Sequence, residues 1–200
     1  MSFQSYFVEN KDNIFAGRIP ERYRRVARYV PGDTILEVGS ADGTQALVLA
    51  KERRRVYGVE LMSEQHEMAL SLRDHWLGIG IDVQNCEFYK GDALAFSYLL
   101  DCVDTVLLSR VLYHLREDIN VYFETIRVSG VKCVALVGCP VRERNWHTYG
   151  ARGDMMGKYT YYASQVGMEN VLREFGFQIV TSLSSEGGED PMVVGSRQGA

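Results

Sequence analysis

Residues 35–44, with the sequence ILEVGSADGT, decide the fold of this 200-residue chain. An apolar run that carries Glu37 near its end predicts a buried strand, and Gly39, Ala41 and Gly43 then precede a stretch with helical spacing. Small residues let the backbone approach a ligand closely, and the N-terminus of a helix offers unpaired N–H groups. The stretch therefore predicts a strand, a tight turn and a helix that form a nucleotide-type binding site.

Strand-like and helical patterns alternate along the chain as far as residue 137. Strand-like runs lie at residues 34–38, 56–59, 86–90, 103–108 and 132–137. Helical runs lie at residues 18–29, 45–53 and 117–126. Two more are a helix from the predicted N-cap Ser63 to about residue 78 and a short helix that begins at residue 93. Nearly continuous apolar runs such as TVLLS and CVALVG are typical of parallel strands that are buried on both faces. We expect a doubly wound α/β sheet with helices on both faces.

The last part of the chain predicts a change of strand direction. A helix is expected at residues 165–175, where Gly176 is in position to end it, and the alternating residues 177–183 predict a strand. The polar link SSEGGED is short enough to close an antiparallel hairpin with a strand at 192–194. The expected sheet is therefore mostly parallel and seven-stranded, with a reversed C-terminal strand.

Composition and charge narrow the class of protein. Apolar residues make up 46% of the chain, which is enough for a full core, so we expect residues 1–200 to form a single domain. Within it we expect a helical cap at about 1–30 and a lid-like insertion at about 140–163. The net charge of −4 disfavours a nucleic-acid partner without excluding it. The longest uncharged run, residues 175–185, is too short to cross a membrane, and the first residues show no secretory signal. We expect a cytoplasmic protein with no membrane partner.

The four cysteines give no indication of a metal site. Cys86, Cys102, Cys133 and Cys139 form no CxxC pair and no cluster with zinc spacing. Each lies in an apolar or strand-like context, so all four are expected to be reduced thiols in the core. No convincing cluster of metal ligands is visible elsewhere, and we predict that no metal is bound.

The glycine loop differs from a dinucleotide-binding loop. It has the spacing Gly-x-Ala-x-Gly instead of GxGxxG, which argues against a nicotinamide-dependent dehydrogenase. Glu37 and Asp42 also lie near the loop, where two carboxylates repel a pyrophosphate but attract a ligand ammonium. A nucleoside ligand with a positive charge fits this loop better.

The same residues resemble the first motif of the class I S-adenosylmethionine-dependent methyltransferases, which is an acidic residue, x, Gly, x, Gly or Ala, x, Gly. Glu37, Gly39, Ala41 and Gly43 match it in order. In that family an acidic residue at the end of the second strand receives the ribose hydroxyls, and Glu60, 17 residues past Gly43, matches it. Taken alone, this residue also fits a solvated strand end.

Two later segments extend the resemblance, which covers roughly residues 18–195. Asp92 in YKGDAL matches the acid beside the adenine amino group, although it also fits an ordinary helix cap, and LLSRVLYHL matches the segment under the methionine moiety. The resemblance implies S-adenosylmethionine as cofactor and S-adenosylhomocysteine as product. It implies as cofactor-binding residues Glu37, Gly39, Ser40, Ala41, Gly43, Glu60, Leu61, Gly91, Asp92, Ala93, Ser109 and Arg110.

Candidate catalytic residues follow the fourth strand. Tyr113 and His114 are expected to face the place where a methyl group is transferred, and a histidine there has a suitable pKa for removing a proton from a hydroxyl or amine. His147 is a further candidate. The alternatives are a histidine that only packs or caps a helix, and a reaction driven by positioning alone, without a dedicated base.

The long loop mixes aromatic and cationic side chains. It is expected to cover the acceptor, and its candidate substrate-binding residues are Arg142, Arg144, Trp146, Tyr149 and Arg152. The same composition suits nucleobase stacking, a homodimer contact or a solvated surface. Four further arginines, Arg22, Arg24, Arg25 and Arg28, either close the pocket from the N-terminal side or form the wet face of a helix.

The function that these features favour is S-adenosylmethionine-dependent methyl transfer to a small-molecule oxygen or nitrogen acceptor. The absence of a basic face favours a metabolite over a polymer. The alternatives are an RNA or protein methyltransferase and, from another class, a catalytically silent methyltransferase-like partner subunit.

Overall fold

A seven-stranded sheet organises the chain, for which the computed structural model describes residues 10–115, 118–139, 161–185 and 189–197. The strands are β1 (Thr34–Val38), β2 (Arg55–Glu60), β3 (Cys86–Lys90), β4 (Thr105–Ser109), β5 (Cys133–Val137), β6 (Gln178–Leu183) and β7 (Met192–Ser196). Their order in the sheet is β3-β2-β1-β4-β5-β7-β6. Neighbouring strands from β3 to β5 are parallel, and β7 runs antiparallel to both β5 and β6. The predicted doubly wound sheet with a reversed last strand is confirmed.

Helices cover both faces of the sheet. They are α1 (Glu21–Tyr29), α2 (Thr44–Lys51), α3 (Ser63–Gly78), α4 (Leu112–Leu115), α5 (Ile119–Val128) and α6 (Gln165–Glu174), and a 3₁₀ segment spans Ala93–Cys102. Residues 10–15 and 161–163 are also helical. The apolar sides of α1, α2 and α3 pack on one face, while the 3₁₀ segment, α5 and α6 pack on the other.

The buried strands supply both cores because successive side chains point to opposite faces. In β4, Leu107 belongs to the core beneath α2 and α3, whereas Val106 and Leu108 belong to the core beneath α5 and α6. This arrangement explains why Val106, Leu107 and Leu108 form a continuous apolar run instead of alternating with polar residues. It also brings the carboxyl ends of β1, β2, β3 and β4 to one edge, where open α/β sheets bind ligands.

Two local predictions were wrong, and one predicted helix is present with slightly different bounds. Ser63 is the first residue of α3, and the N-cap position belongs to Met62, which makes no side-chain capping bond. Cys86 and Cys139 are buried, but Cys133 is only half-buried and Cys102 is exposed at the end of the 3₁₀ segment, although all four are free thiols. The helix predicted at 117–126 begins at Ile119 and follows a separate short helix, α4, that apolar spacing did not indicate.

Two predicted segments fall largely or partly outside the described residues. They are residues 140–160 of the predicted lid-like insertion and residues 1–9 of the predicted N-terminal cap. The single-domain organisation stays a prediction. In the described ranges, no helix is long and apolar enough to cross a lipid bilayer.

Candidate active site

The loop after β1 holds three residues in the left-handed region of backbone space. Gly39, Ala41 and Gly43 have φ values of 70°, 47° and 77°. The N–H groups of Gly39 and Ser40 donate to the carbonyl of Val59 at 2.8 and 3.1 Å, which ties the loop to the end of β2. A left-handed alanine costs on the order of 1–3 kcal/mol, and such strain is concentrated at functional sites.

Close packing accounts for the two glycines of this loop. A Cβ atom on Gly39 would lie 2.7 Å from Cγ2 of Val111. A Cβ atom on Gly43 would lie 2.6 Å from the Phe88 ring and 2.7 Å from Cβ of Ala69 in α3. The loop is therefore packed closely against Val111, Phe88 and Ala69 at the carboxyl edge of the sheet.

Three carboxylates are buried around the loop. Glu37, Asp42 and Glu60 expose 2%, 8% and 8% of their surface. Burial raises the pKa of Glu37 well above its usual value, and the charges of Asp42 and Glu60 raise it further. Burial also raises the pKa of Asp42, although hydrogen bonds from Thr44 and the charge of Arg22 in α1 oppose this. Such a cluster favours a ligand that brings positive charge.

Glu60 fastens the loop to the end of β2. Its Oε2 atom accepts a hydrogen bond from the N–H of Ala41, and its Oε1 atom accepts one from the N–H of Met62, each at 2.8 Å. The solvated strand end is thus the wrong alternative for this residue. Each carboxylate oxygen can accept a second bond, so both can still receive hydroxyl groups from a ligand.

Two buried polar atoms near the loop, Oε2 of Glu37 and Oγ of Ser40, have no hydrogen-bond partner within the described ranges. Buried polar atoms are normally paired, and unpaired ones are expected where a ligand or water belongs. This set of acceptors and hydroxyls fits a polar, cationic nucleoside such as S-adenosylmethionine.

Asp92 follows β3 and lies beside Glu60, because the N–H of Gly91 donates to the carbonyl of Glu60 at 2.9 Å. Its side chain is exposed and caps the 3₁₀ segment by accepting from the N–H of Leu94 at 2.8 Å. The hydroxyl of Tyr122 in α5 donates to the same oxygen at 2.7 Å. The helix-cap alternative is therefore correct for one oxygen of Asp92, Oδ1. Sequence reasoning missed Tyr122.

The end of β4 carries a second strained residue. Arg110 has a φ of 58°, and its N–H donates to the carbonyl of Val137 at 2.8 Å. Its guanidinium makes a two-point ion pair with Asp190, in which Nε and Oδ2 are 2.9 Å apart. Burial acts to lower the pKa of Arg110, but the charge and hydrogen bonds of Asp190 raise it above its usual value. The guanidinium of Arg110 is thus already paired with Asp190.

The N-terminal helix reaches the same segment. Arg25 of α1 pairs with Glu189 at 3.0 Å, and its guanidinium also donates to the carbonyl of Asp190. The only sequence signal for these contacts was a pair of acidic residues just before β7. Arg25 is thus a largely buried side chain that contacts the segment before β7, and it does not belong to a wet helix face.

The candidate catalytic residues lie next to Arg110. Tyr113 is 4% exposed and packs with Cys139 and Ala163, whereas His114 is exposed. The two rings are 4.6 Å apart between centroids. His114 is therefore open to solvent at the carboxyl edge, and its role stays a prediction.

The remaining predicted residues cannot be placed. His147 and the predicted substrate-binding residues lie outside the described residues, and these are Arg142, Arg144, Trp146, Tyr149 and Arg152. In the part of the chain that the structure describes, no group of three or more His, Cys, Asp or Glu residues could hold a metal ion.

Comparison with known proteins agrees with this geometry. A family model described as "Methyltransferase domain" matches residues 36–128, which run from β1 through α5. A comparison with curated proteins finds no match.

Solved structures of methyltransferases have the same fold. The magnesium protoporphyrin IX methyltransferase from Synechocystis PCC 6803 with bound SAH is 16% identical over 89% of this chain and 83% of that chain, with a TM-score of 0.62. The O-methyltransferase from Bacillus cereus in complex with SAH is 15% identical over 96% and 91%, with a TM-score of 0.61. A SAM-dependent methyltransferase from Aquifex aeolicus is 18% identical over 92% and 96%, with a TM-score of 0.60. At these identities the likeness shows the fold.

The fold is that of the class I, Rossmann-like methyltransferases, and the family model matches a methyltransferase domain within it. Residues 36–128 are its methyltransferase domain, and they include all the predicted cofactor-binding residues together with Tyr113 and His114. The matched methyltransferase domain agrees with the predicted enzyme class. The neighbouring structures from Synechocystis PCC 6803 and Bacillus cereus contain SAH, in agreement with the predicted donor, S-adenosylmethionine, and the predicted product, S-adenosylhomocysteine.

Proposed function

We propose that this methyltransferase modifies an oxygen or nitrogen atom of a small molecule, and that the loop after β1 together with Glu60 and Asp92 holds the methyl donor. The observation that carries the proposal is the cluster of three buried carboxylates around the left-handed loop. A pyrophosphate cofactor would be repelled there, whereas a sulfonium and an ammonium group are attracted.

Each part of the loop has a separate role in holding the donor. A cationic ligand lowers the raised pKa values of Glu37 and Asp42 and thereby favours their negatively charged forms beneath the loop. Glu60 receives the ribose hydroxyls with the lone pairs that its bonds to Ala41 and Met62 leave free. The second oxygen of Asp92 accepts a hydrogen bond from the adenine amino group. Leu61, whose apolar side chain is exposed, follows β2 at the same edge of the sheet.

The donor supplies a methyl group on a positively charged sulfur. When the acceptor attacks, a bond forms between its oxygen or nitrogen and the methyl carbon, and the carbon–sulfur bond breaks with its electron pair left on sulfur. The acceptor must then lose a proton, and His114 is the exposed group at this edge that can take it. Orientation in a dry pocket accounts for most of the acceleration in such a transfer, about 7–11 kcal/mol in well-oriented systems.

The small-molecule acceptor is supported by charge and by the neighbouring structures. The chain has a net charge of −4, which disfavours a long polyanion as substrate. One neighbour is named for magnesium protoporphyrin IX and another for echinomycin biosynthesis. The segment at about 140–163, with its arginines and aromatic residues, is then the candidate for binding the acceptor.

Thermal unfolding and calorimetric titration with S-adenosylmethionine, S-adenosylhomocysteine and NADH test the donor site. A ligand at 100 times its dissociation constant adds about 2.7 kcal/mol of stability, so the first two ligands should raise the unfolding temperature and NADH should not. Glu60→Ala should weaken the binding of both adenosyl ligands, while the matched change at Glu174, an exposed acid at the end of α6, should not. Unchanged affinity in Glu60→Ala would refute its role.

A radiolabelled methyl-transfer assay with small-molecule, RNA and protein fractions as acceptors then identifies the substrate class. We expect transfer to the small-molecule fraction. Transfer to RNA alone, with binding that falls steeply with salt, would favour the RNA alternative.

A further inference from the structure

The side chain of Asp92 is oriented from two directions. One oxygen, Oδ1, accepts both the N–H of Leu94 at 2.8 Å and the hydroxyl of Tyr122 at 2.7 Å. A carboxylate oxygen has two lone pairs in its plane, so Oδ1 is saturated. The other oxygen, Oδ2, makes no hydrogen bond to any residue that the structure describes, and the side chain is exposed. The carboxylate therefore presents one free oxygen in a fixed direction.

Tyr122, which belongs to α5, helps to orient the side chain of Asp92 through its hydroxyl group. Its ring is 8% exposed and belongs to the core beneath α5, where it lines a cavity of about 20 Å³ with Ala93 and Leu94. A phenylalanine would fill the same space, since its neighbours in this core are apolar. The hydroxyl thus serves the bond to Asp92. Burial and that bond raise the pKa of Tyr122, so the phenol stays protonated and donates at neutral pH.

We propose that Tyr122 is a positioning residue that sets the selectivity of this site for adenine, because it aims the free oxygen of Asp92 at the exocyclic amino group of the base. The proposal rests on the function proposed above. An amino group donates to that oxygen, whereas the carbonyl of hypoxanthine is an acceptor and is repelled by it. Without the Tyr122 hydroxyl, Asp92 keeps only the bond from Leu94 and is free to turn about its side-chain torsions.

The test compares two ligands that differ only at this position of the base. Calorimetry gives the dissociation constants of S-adenosylhomocysteine and S-inosylhomocysteine for the wild-type protein and for Tyr122→Phe. A hydrogen bond to a charged group is worth about tenfold or more in affinity, so the wild type should prefer the adenosyl ligand by at least about that factor. Tyr122→Phe should lower this ratio several-fold, mainly by weakening the adenosyl ligand.

Tyr89→Phe is the matched control. It also removes a phenol hydroxyl that donates to a carboxylate, Oε2 of Glu87 at 2.8 Å, but this hydroxyl makes no hydrogen bond to Asp92. Its ring contacts with Phe96 and Tyr57 remain available to phenylalanine. The control should keep the wild-type ratio, and urea unfolding shows whether each variant is folded.

The outcomes separate the proposal from the function on which it rests. A wild type that binds neither ligand contradicts both. A wild type that discriminates and a Tyr122→Phe variant with the same ratio contradict the role of Tyr122 alone. Equal weakening of both ligands in the variant also overturns it, since that result indicates a purely structural effect.

Discussion

Replacing Gly43 by alanine tests whether the loop after β1 depends on close packing as well as on backbone freedom. Gly43 is the N-cap of α2 and has a φ of 77°. An alanine in this region costs about 1–2 kcal/mol. Its Cβ would also lie 2.6 Å from Cζ of Phe88 and 2.7 Å from Cβ of Ala69, which is overpacking worth about 1–3 kcal/mol.

The sum is a loss of about 2–5 kcal/mol, a large share of the roughly 5–15 kcal/mol that stabilises an ordinary domain. Gly80→Ala is the control, because Gly80 has a φ of 82° and no atom within 4 Å of an added Cβ. It should lose only the backbone cost of about 1–2 kcal/mol. Urea unfolding of both variants measures the two losses. Equal losses would refute the packing argument.

The same two variants separate stability from binding. Gly80 follows the end of α3, at the edge of the sheet away from the loop, so Gly80→Ala should bind S-adenosylhomocysteine as the wild type does. Gly43→Ala should bind it more weakly at a temperature where both variants are folded, because the loop must shift to accommodate the new methyl group. Wild-type affinity in Gly43→Ala would contradict this reasoning.

Two further predictions concern charge. Because the folded-state pKa of Glu37 is raised, the folded chain holds this proton more tightly than the unfolded chain, and stability falls as pH rises from about 4.5 through the raised pKa. Glu37→Gln should therefore be less sensitive to pH in urea unfolding between about pH 5 and 8, and an unchanged slope would contradict the assignment. Asp190→Asn should cost about 1.5–3 kcal/mol, since it breaks a two-point ion pair whose side chains are only 20% and 11% exposed. Glu189→Gln, whose side chain is 55% exposed, should cost about 0–1 kcal/mol in the same measurement, and equal losses would refute the difference.

Local patterns were enough to predict most of the architecture. A strand or a helix depends on spacing within about ten residues, so the alternation along the chain was visible, and Gly176 was correctly predicted to end α6 with a φ of 83°. The errors arose where the type of a residue suggested one local position and the folded backbone gave it another. Ser63 has the right chemistry for a cap, but its backbone is already helical, and Cys102 follows apolar residues yet lies at the exposed end of the 3₁₀ segment.

The candidate site was predictable for the residues whose place in the fold follows from their position at the end of a strand. Glu37, Gly39 and Glu60 sit at or beside the carboxyl ends of β1 and β2, and parallel strands bring such ends to one edge whatever the rest of the chain does. The additional role of Glu60 as the residue that fastens the loop was not predictable, because the bond to Ala41 spans 19 residues and depends on the loop conformation.

The sequence by itself determined the fold class, the glycine loop of the candidate site and the acids at the strand ends, because these follow from short-range spacing and from the chemistry of single residues. Only the tertiary structure decided which side chains meet. Arg110 and Asp190 are 80 residues apart, and Asp92 and Tyr122 are 30 apart. Such pairs form only after β7 has inserted beside β5 and α5 has packed on its face of the sheet, and no local pattern encodes that placement.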